Sequence, residues 1–260
     1  MRPVKPVISV ITVVNNSAAT IADTLSSVAS QSYPHVEHII IDGASTDGTL
    51  KIIQERASPN AVIRSEPDRG MYDAMNKGLA MATGDVIGFL NADDVYADSR
   101  VLEDIAGTIA TQDVDACYGD LVYVAKSDIR KVVRYWKSQT YRDGLFEKGW
   151  MPAHPTFFVK RQVYEKYGGF DLDYRRQSDF ELAMRFLAVY KIKSFYIPRV
   201  LVRMRSGGVS SQLTHIVAGN IEAYLACRKH SLDVSPLFIP RKILSRIPQI
   251  LFRKKMQRQS

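Results

Sequence analysis

A chain of 260 residues, 46% hydrophobic and 24% charged, has ordinary soluble composition and can bury one full core, or a core with an appendage. Its two cysteines, Cys117 and Cys227, lie far apart and outside any metal or redox spacing, which argues against a disulfide framework or zinc site and for a reducing cytosol. The net charge of +8 is not a nucleic-acid signature: of 35 Lys and Arg, seven fall in residues 236–260 with no acid among them, and the rest nearly balance the 27 acids.

No run approaches the roughly 18 apolar residues of a membrane span, and the N-terminus lacks a small-residue cleavage site. A cytoplasmic protein, neither exported by a recognisable signal nor integral, is expected.

Residues 7–14 form an apolar, β-branched run broken by Ser9 and Thr12, the composition of a central parallel strand. Asn15, Asn16 and Ser17 offer caps for a helix whose apolar positions Ile21, Leu25 and Val28 recur at helical spacing, and Tyr33-Pro34 ends it. A second buried strand, 36–41, runs into Asp42-Gly43-Ala44-Ser45-Thr46-Asp47-Gly48, where Thr46 or Asp47 can cap a helix over 50–56. Strand, polar turn and helix repeat with 61–65, the turn at Asp68, and a helix over 71–82. On that helix Met71, Met75 and Leu79 share one face, and Asp73, Asn76 and Lys77 another.

The next strand, 86–90, is the centre of the pattern because it ends abruptly in Asn91-Ala92-Asp93-Asp94. Three hard-oxygen side chains within four residues suit a divalent cation that leaves positions for phosphate oxygens. The plain alternative is an Asx-rich turn. Successive βα units imply a Rossmann-like, doubly wound, mostly parallel α/β sheet flanked by helices, with Asn15, Asp42, Asp68 and Asp93 collected on one rim. Capping or turn formation is the first reading of Asp47 and Asp68, whereas Asp42 directly terminates a buried strand.

Further on, a helix over 101–110 and strands over 116–125 and 131–136 precede a loop-like stretch, 140–150. His154, bracketed by Pro152 and Pro155, leads into a strand, and its local reading is a packed core histidine. Ser178 and Asp179 stand at the start of a helix over 180–190, where the dipole favours a carboxylate. Strands over 192–197 and 200–205 are separated by Pro198. Residues 206–210 form a loop able to close over a ligand, and 216–228 is helical by pattern. In the tail Ile243, Leu244, Ile247, Ile250 and Leu251 recur among cations as in an interfacial helix, kinked at Pro248, which makes an anionic membrane surface the expected partner.

If the ligand is a nucleotide carrying a sugar, Asp42 can accept from a base N–H, Asp93 can bind a cation bridging the diphosphate, and a later carboxylate would sit across the sugar. Residues 7–16, residues 27–49 and Gly84 to Asp94 together resemble the family 2 glycosyltransferases of the GT-A fold, especially those of bacterial capsule, exopolysaccharide and O-antigen assembly. The resemblance spans about residues 7–205 and is specific because several motifs occur in order. It implies donor contacts along Thr12, Val14, Asn15, Asp42, Asp68, Asn76, Lys77, Asn91, Ala92 and Asp93. It further implies Mg²⁺ or Mn²⁺ at Asp93 and Asp94, a catalytic base at Asp179, and an acceptor side that includes His154 and Ser178.

Asn91 replaces the first carboxylate of the family's Asp-x-Asp pattern, and Met75 stands where many relatives carry Arg, a place Lys77 can fill. The processive Gln-x-x-Arg-Trp signature is absent, so one sugar per encounter is expected. The expected organisation is a transferase domain over 1–210, with a nucleotide-sugar half to about 110 and an acceptor half beyond it, then a basic helical extension over 211–260. The expected activity is inverting transfer from a nucleotide-sugar donor to a glycan or lipid-linked acceptor at the inner face of the membrane. An inactive nucleotide-sugar scaffold is the non-enzymatic alternative. A sugar-phosphate nucleotidyltransferase would want a basic, glycine-rich loop after the first strand, where Asn15-Asn16-Ser17 stands instead.

Overall fold

The computed structural model describes residues 5–207, 213–235 and 237–244. The first third alternates β1 (Ile8–Val14), α1 (Ile21–Ala29), β2 (Val36–Asp42), α2 (Thr49–Arg56), β3 (Val62–Ser65), α3 (Met71–Met81) and β4 (Val86–Phe89). These strands lie parallel in the order β3-β2-β1-β4, so strand order reverses between β1 and β4. Such a switch point is where an open α/β sheet splays its loops apart and leaves a crevice. Every residue of β1 is buried, as its β-branched run requires of a strand covered on both faces.

Beyond β4 come β5 (Val95–Tyr96), α4 (Val101–Thr111), β6 (Ala116–Ala125), β7 (Asp128–Trp136), β8 (Phe158–Lys160), α5 (Arg161–Tyr167), α6 (Ser178–Met184), β9 (Ser194–Arg205), α7 (Leu213–Lys229) and α8 (Phe238–Leu244). The sheet continues β4-β8-β6-β9-β5, with β8 antiparallel to both neighbours, β6 parallel to β9, and β7 paired to β6. A mixed, mostly parallel, curled sheet of nine strands with flanking helices results, as one domain. Among the described residues no helix is long and apolar enough to cross a membrane.

Two glycines set the closest approaches. A Cβ at Gly88 would lie 2.2 Å from the Phe158 ring, so the bare backbone of β4 admits the aromatic side chain that joins it to β8. A Cβ at Gly78 would lie 2.4 Å from Ile11, which lets α3 sit low on β1. That close approach shifts the buried face of α3 to Tyr72, Met75 and Gly78, and leaves Met71 49% exposed, against the expected Met71–Met75–Leu79 stripe.

Other expectations change for similar local reasons. Asn15 to Ser17 do not cap α1: the helix starts at Ile21, after an N-cap at Thr20, and the Ser17 carbonyl accepts the Ile21 N–H at 3.0 Å. The strands expected on either side of Pro198 are one, because Tyr196 pairs with Tyr118 and Val200 with Asp120, leaving Ile197, Pro198 and Arg199 opposite Gly119. A proline without a donor is tolerated in such a bulge. The helix expected over 180–190 is α6 followed by a π-helical turn, Arg185–Val189. Most of the 206–210 loop, and the tail from residue 245 with Ile247, Pro248, Ile250 and Leu251, lie outside the described residues.

His38 shows what this layer costs in acid. It is buried, with Nε2 3.0 Å from the Thr12 hydroxyl, and burial pushes its imidazole down to about 4. The unfolded imidazole takes its proton near pH 6.5, so between pH 6.5 and 4 the unfolded state holds more protons and stability falls as pH drops, by about 3 kcal/mol in all. Urea denaturation should therefore show a shallower loss of stability from pH 7 to 4.5 in His38→Gln, which keeps a partner for Thr12, than in the wild type. Equal slopes would contradict the assignment.

Candidate active site

The C-terminal ends of the parallel strands deliver Asn15, Asp42, Asp68 and the Asn91–Asp94 turn to one rim. The loops after β1 and β2 are zipped together there. Asn16, in the left-handed region at φ 48°, accepts the Thr46 N–H at 2.9 Å, and the Ala18 N–H donates to Asp47 at 3.0 Å. Asp47 also accepts the Thr49 N–H at 3.0 Å, a turn just ahead of α2, whose N-cap is Gly48 and not the expected Thr46 or Asp47.

Asp42 is fully buried at the end of β2. Its Oδ2 accepts from the Ser45 N–H at 3.1 Å and the Ser65 hydroxyl at 2.6 Å, while Oδ1 is buried without a partner. Asn15 donates to the Gly43 carbonyl at 2.7 Å, and a Cβ on Gly43 would stand 2.4 Å from Asp68 Oδ2, so glycine there lets Asp68 close in. The Gly70 N–H holds Asp68 from the other side at 2.8 Å. Asn15 and Asp68 thus meet at Gly43, next in the chain to Asp42, whose buried Oδ1 is an acceptor that an added N–H donor would satisfy.

Several residues implied by the resemblance are engaged elsewhere. The Thr12 and Val14 side chains are buried within the sheet layers, Thr12 against His38 and Val14 in an apolar cluster with Ile21 and Leu25. Both therefore offer the rim no side chain. Lys77 donates to the Pro67 carbonyl at 2.7 Å and pairs with Glu66 at 2.9 Å, bracing the loop that carries Asp68. Asn76 donates to the Phe170 carbonyl and accepts the Phe170 N–H, each at 2.9 Å, so its amide is a clamp between α3 and the segment leading to α6.

The acidic turn divides into an inner and an outer carboxylate. Asp94 is fully buried and faces Asn91, whose amide donates to its Oδ2 at 3.2 Å; burial first, and then the charge of Asp93, pushes its carboxyl well up. Ala92 is likewise buried. Asp93 is partly exposed, its pKa raised by burial against the pull of the Arg205 charge, and among the described residues no side chain donates a hydrogen bond to its carboxylate. Arg205, at the end of β9, donates to the Asp93 carbonyl at 2.7 Å and pairs with Asp23 at 2.5 Å. No local pattern announces Arg205, which is brought to this turn by the antiparallel pairing of β5 with β9, Val95 opposite Arg203.

Asp93 and Asp94, expected to hold a cation together, thus differ in access: Asp93 is partly exposed, and Asp94 is fully buried against Asn91. Among the described residues no group of three or more His, Cys, Asp or Glu side chains is placed to hold a metal. The donor set fits a hard divalent cation attached at the Asp93 carboxylate and completed by phosphate oxygens and water.

Across the rim, Asp179 in the first turn of α6 accepts at Oδ1 from the Phe180 N–H at 2.9 Å and from the Tyr72 hydroxyl at 3.0 Å. His154 stacks on Phe89 at 5.5 Å, and burial lowers its pKa while the charge of Asp179 opposes the shift. The His154 Nε2 and the hydroxyl of the fully buried Ser178 both lack partners. The three acceptor-side residues therefore occupy one region, where α6 packs on the 154–156 turn.

The profile of Glycosyl transferase family 2 matches residues 9–168, more than half the chain. The chain belongs to this family. A PGL/p-HBAD biosynthesis glycosyltransferase of Mycobacterium bovis is 30% identical over 214 residues, covering 80% of each chain. Two solved glycosyltransferases share the GT-A fold. TarS 1-349 of S. aureus, in complex with UDP-GlcNAc, aligns with TM-score 0.65 at 17% identity, over 95% of this chain and 72% of that one. In another TarS structure the match covers 43% of the solved chain. The mannosyltransferase PcManGT of Pyrobaculum calidifontis, in complex with GDP-Man and Mn2+, aligns with TM-score 0.64 at 19% identity, over 98% and 76%.

The clamp in this glycosyltransferase has a direct test. In Asn76→Asp the carboxylate still accepts from the Phe170 N–H but faces the Phe170 carbonyl with no proton to give, a mismatch worth about 1–3 kcal/mol. Urea denaturation should register that loss; unchanged stability would remove the clamp.

Proposed function

We propose that this transferase moves a single sugar from a nucleoside-diphosphate sugar to a hydroxyl of a glycan or lipid-linked acceptor, inverting the anomeric centre, in the biosynthesis of cell-surface polysaccharide. The observation that carries the reading is the presence on one rim of an unsatisfied buried acceptor, Asp42 Oδ1, and a partly exposed carboxylate, Asp93. A nucleotide base presents a ring N–H for the first, and a cation-bound diphosphate suits the second. The donor half is assigned to residues up to about 110 and the acceptor half to about 111–210.

Asp42, Asn15 and Asp68 hold the nucleoside end against the bare backbone of Gly43. Asp93 would hold Mg²⁺ or Mn²⁺, which supplies positive charge where the leaving diphosphate becomes more negative. Asp179 takes the proton of the acceptor hydroxyl as its oxygen attacks the anomeric carbon from the face opposite the diphosphate. His154 and Ser178, with unsatisfied polar atoms beside that base, orient the acceptor.

Operation at the inner membrane face is supported by two features. Val217, Ile221 and Leu225 form a row at i, i+4 and i+8 on α7, each about half exposed. Residues 245–260 carry five cations and no acid. α8 itself is not a free tail, because Phe238 is fully buried and Lys242 reaches Gln177 at 3.0 Å. Deletion of residues 245–260, which spares α8, should weaken binding to anionic vesicles most clearly at low salt, and unchanged binding would dispose of the tail's role.

Titration calorimetry with UDP, GDP and dTDP, with and without Mn²⁺, tests the donor site. One nucleotide should bind with metal dependence, and Asp93→Ala should weaken it at least about tenfold. Asp179→Asn should bind that nucleotide like the wild type yet slow transfer by about 10³-fold. Wild-type turnover in Asp179→Asn would overturn the base assignment, and no binding of any nucleotide would overturn the donor site.

A further inference from the structure

Tyr72 is buried on α3, in the donor half of the chain, yet its hydroxyl lies 3.0 Å from Asp179 Oδ1 and 3.2 Å from the Arg176 carbonyl. One phenolic proton faces two acceptors, and the carboxylate offers the stronger, charge-assisted bond. Oδ1 also accepts the Phe180 N–H at 2.9 Å, while among the described residues nothing donates to Oδ2. One oxygen is thus fixed by two donors and the other keeps its lone pairs for a substrate proton.

The Tyr72 ring is itself immobilised. It stacks on Phe170 at 5.5 Å with 24° between the planes, and one turn further along α3 Asn76 grips both backbone groups of Phe170. We propose that Tyr72 is the positioning residue of the catalytic base: it holds Asp179 by Oδ1 so that Oδ2 alone receives the acceptor proton, and so couples the base to the helix that braces the donor site. This rests on the assignment of Asp179 as base.

Burial, and then the charge of Asp179, raise the Tyr72 phenol well above its ordinary value, so it remains a donor throughout the working range. His154, from the 154–156 turn, faces the same carboxylate, and Glu222 of α7, which pairs with Arg176 at 3.4 Å, places its charge near the Tyr72 phenol. Tyr72→Phe leaves those groups in place and keeps the stacked ring.

The test is the pH profile of sugar transfer by Tyr72→Phe beside Asp179→Asn, with donor and acceptor kinetics. Loss of a donor makes the carboxylate harder to ionise, so the acid limb of kcat/KM should move about one pH unit upward, kcat at neutral pH should fall about tenfold, and donor KM should stay put. A wild-type profile, or a lower kcat with an unmoved acid limb, overturns the positioning role. Wild-type turnover in Asp179→Asn instead overturns the base assignment beneath it, which separates the two failures. If Tyr72→Phe does not fold, 3-fluorotyrosine at position 72 supplies a stronger donor and should move the acid limb downward; an unmoved limb again overturns the proposal.

Discussion

The amide of Asn76, closed on both backbone groups of Phe170, is the constraint on which the geometry of the site depends. The donor rim assembles from neighbouring βα units and needs little else to define it. Asp179 belongs to a segment about a hundred residues later, after β6, β7 and β8 have been laid down. Two satisfied backbone groups at Phe170 fix where that segment returns, and a Cβ on Gly169 would stand 2.4 Å from the Asn76 carbonyl oxygen, so the approach leaves no slack.

Charge management supplies the second constraint. Four parallel strand ends that all finish in acids or amides would repel one another if every carboxylate were open. The fold disposes of most of them: Asp42 Oδ2 takes two donors, Asp47 is bound to the start of α2, and Asp94 is buried with its pKa raised. Asp93 is left partly exposed, with Arg205 behind its backbone. A single partly exposed carboxylate would be a weak cation site alone and a better one once a diphosphate contributed its own oxygens, which is what the proposed function asks of it.

Wherever one local signal decides the outcome, the sequence was legible. The β-branched run of β1, the Asp42 terminus of β2 and the abrupt polar end of β4 each read correctly, and the family resemblance agreed with the profile match and the GT-A neighbours. Legibility failed where packing between distant segments decides. Nothing near Asn76 reveals that Phe170 will take both ends of its amide, and nothing near Asp94 reveals that it points inward. Pro198 looked like a strand breaker because the bulge that accommodates it is written in Gly119 of the partner strand. Arg205 and Tyr72 escaped notice for the same reason: each acts on a residue about a hundred positions away.

The account stands most directly on a crystal structure of the protein with a bound nucleoside diphosphate and Mn²⁺. It predicts a base N–H within hydrogen-bond distance of Asp42 Oδ1, and the cation coordinated by Asp93 and diphosphate oxygens with Asp94 still turned inward. A nucleotide seated away from the β1–β4 switch point, or a cation ligated by Asp94 instead of Asp93, would contradict it.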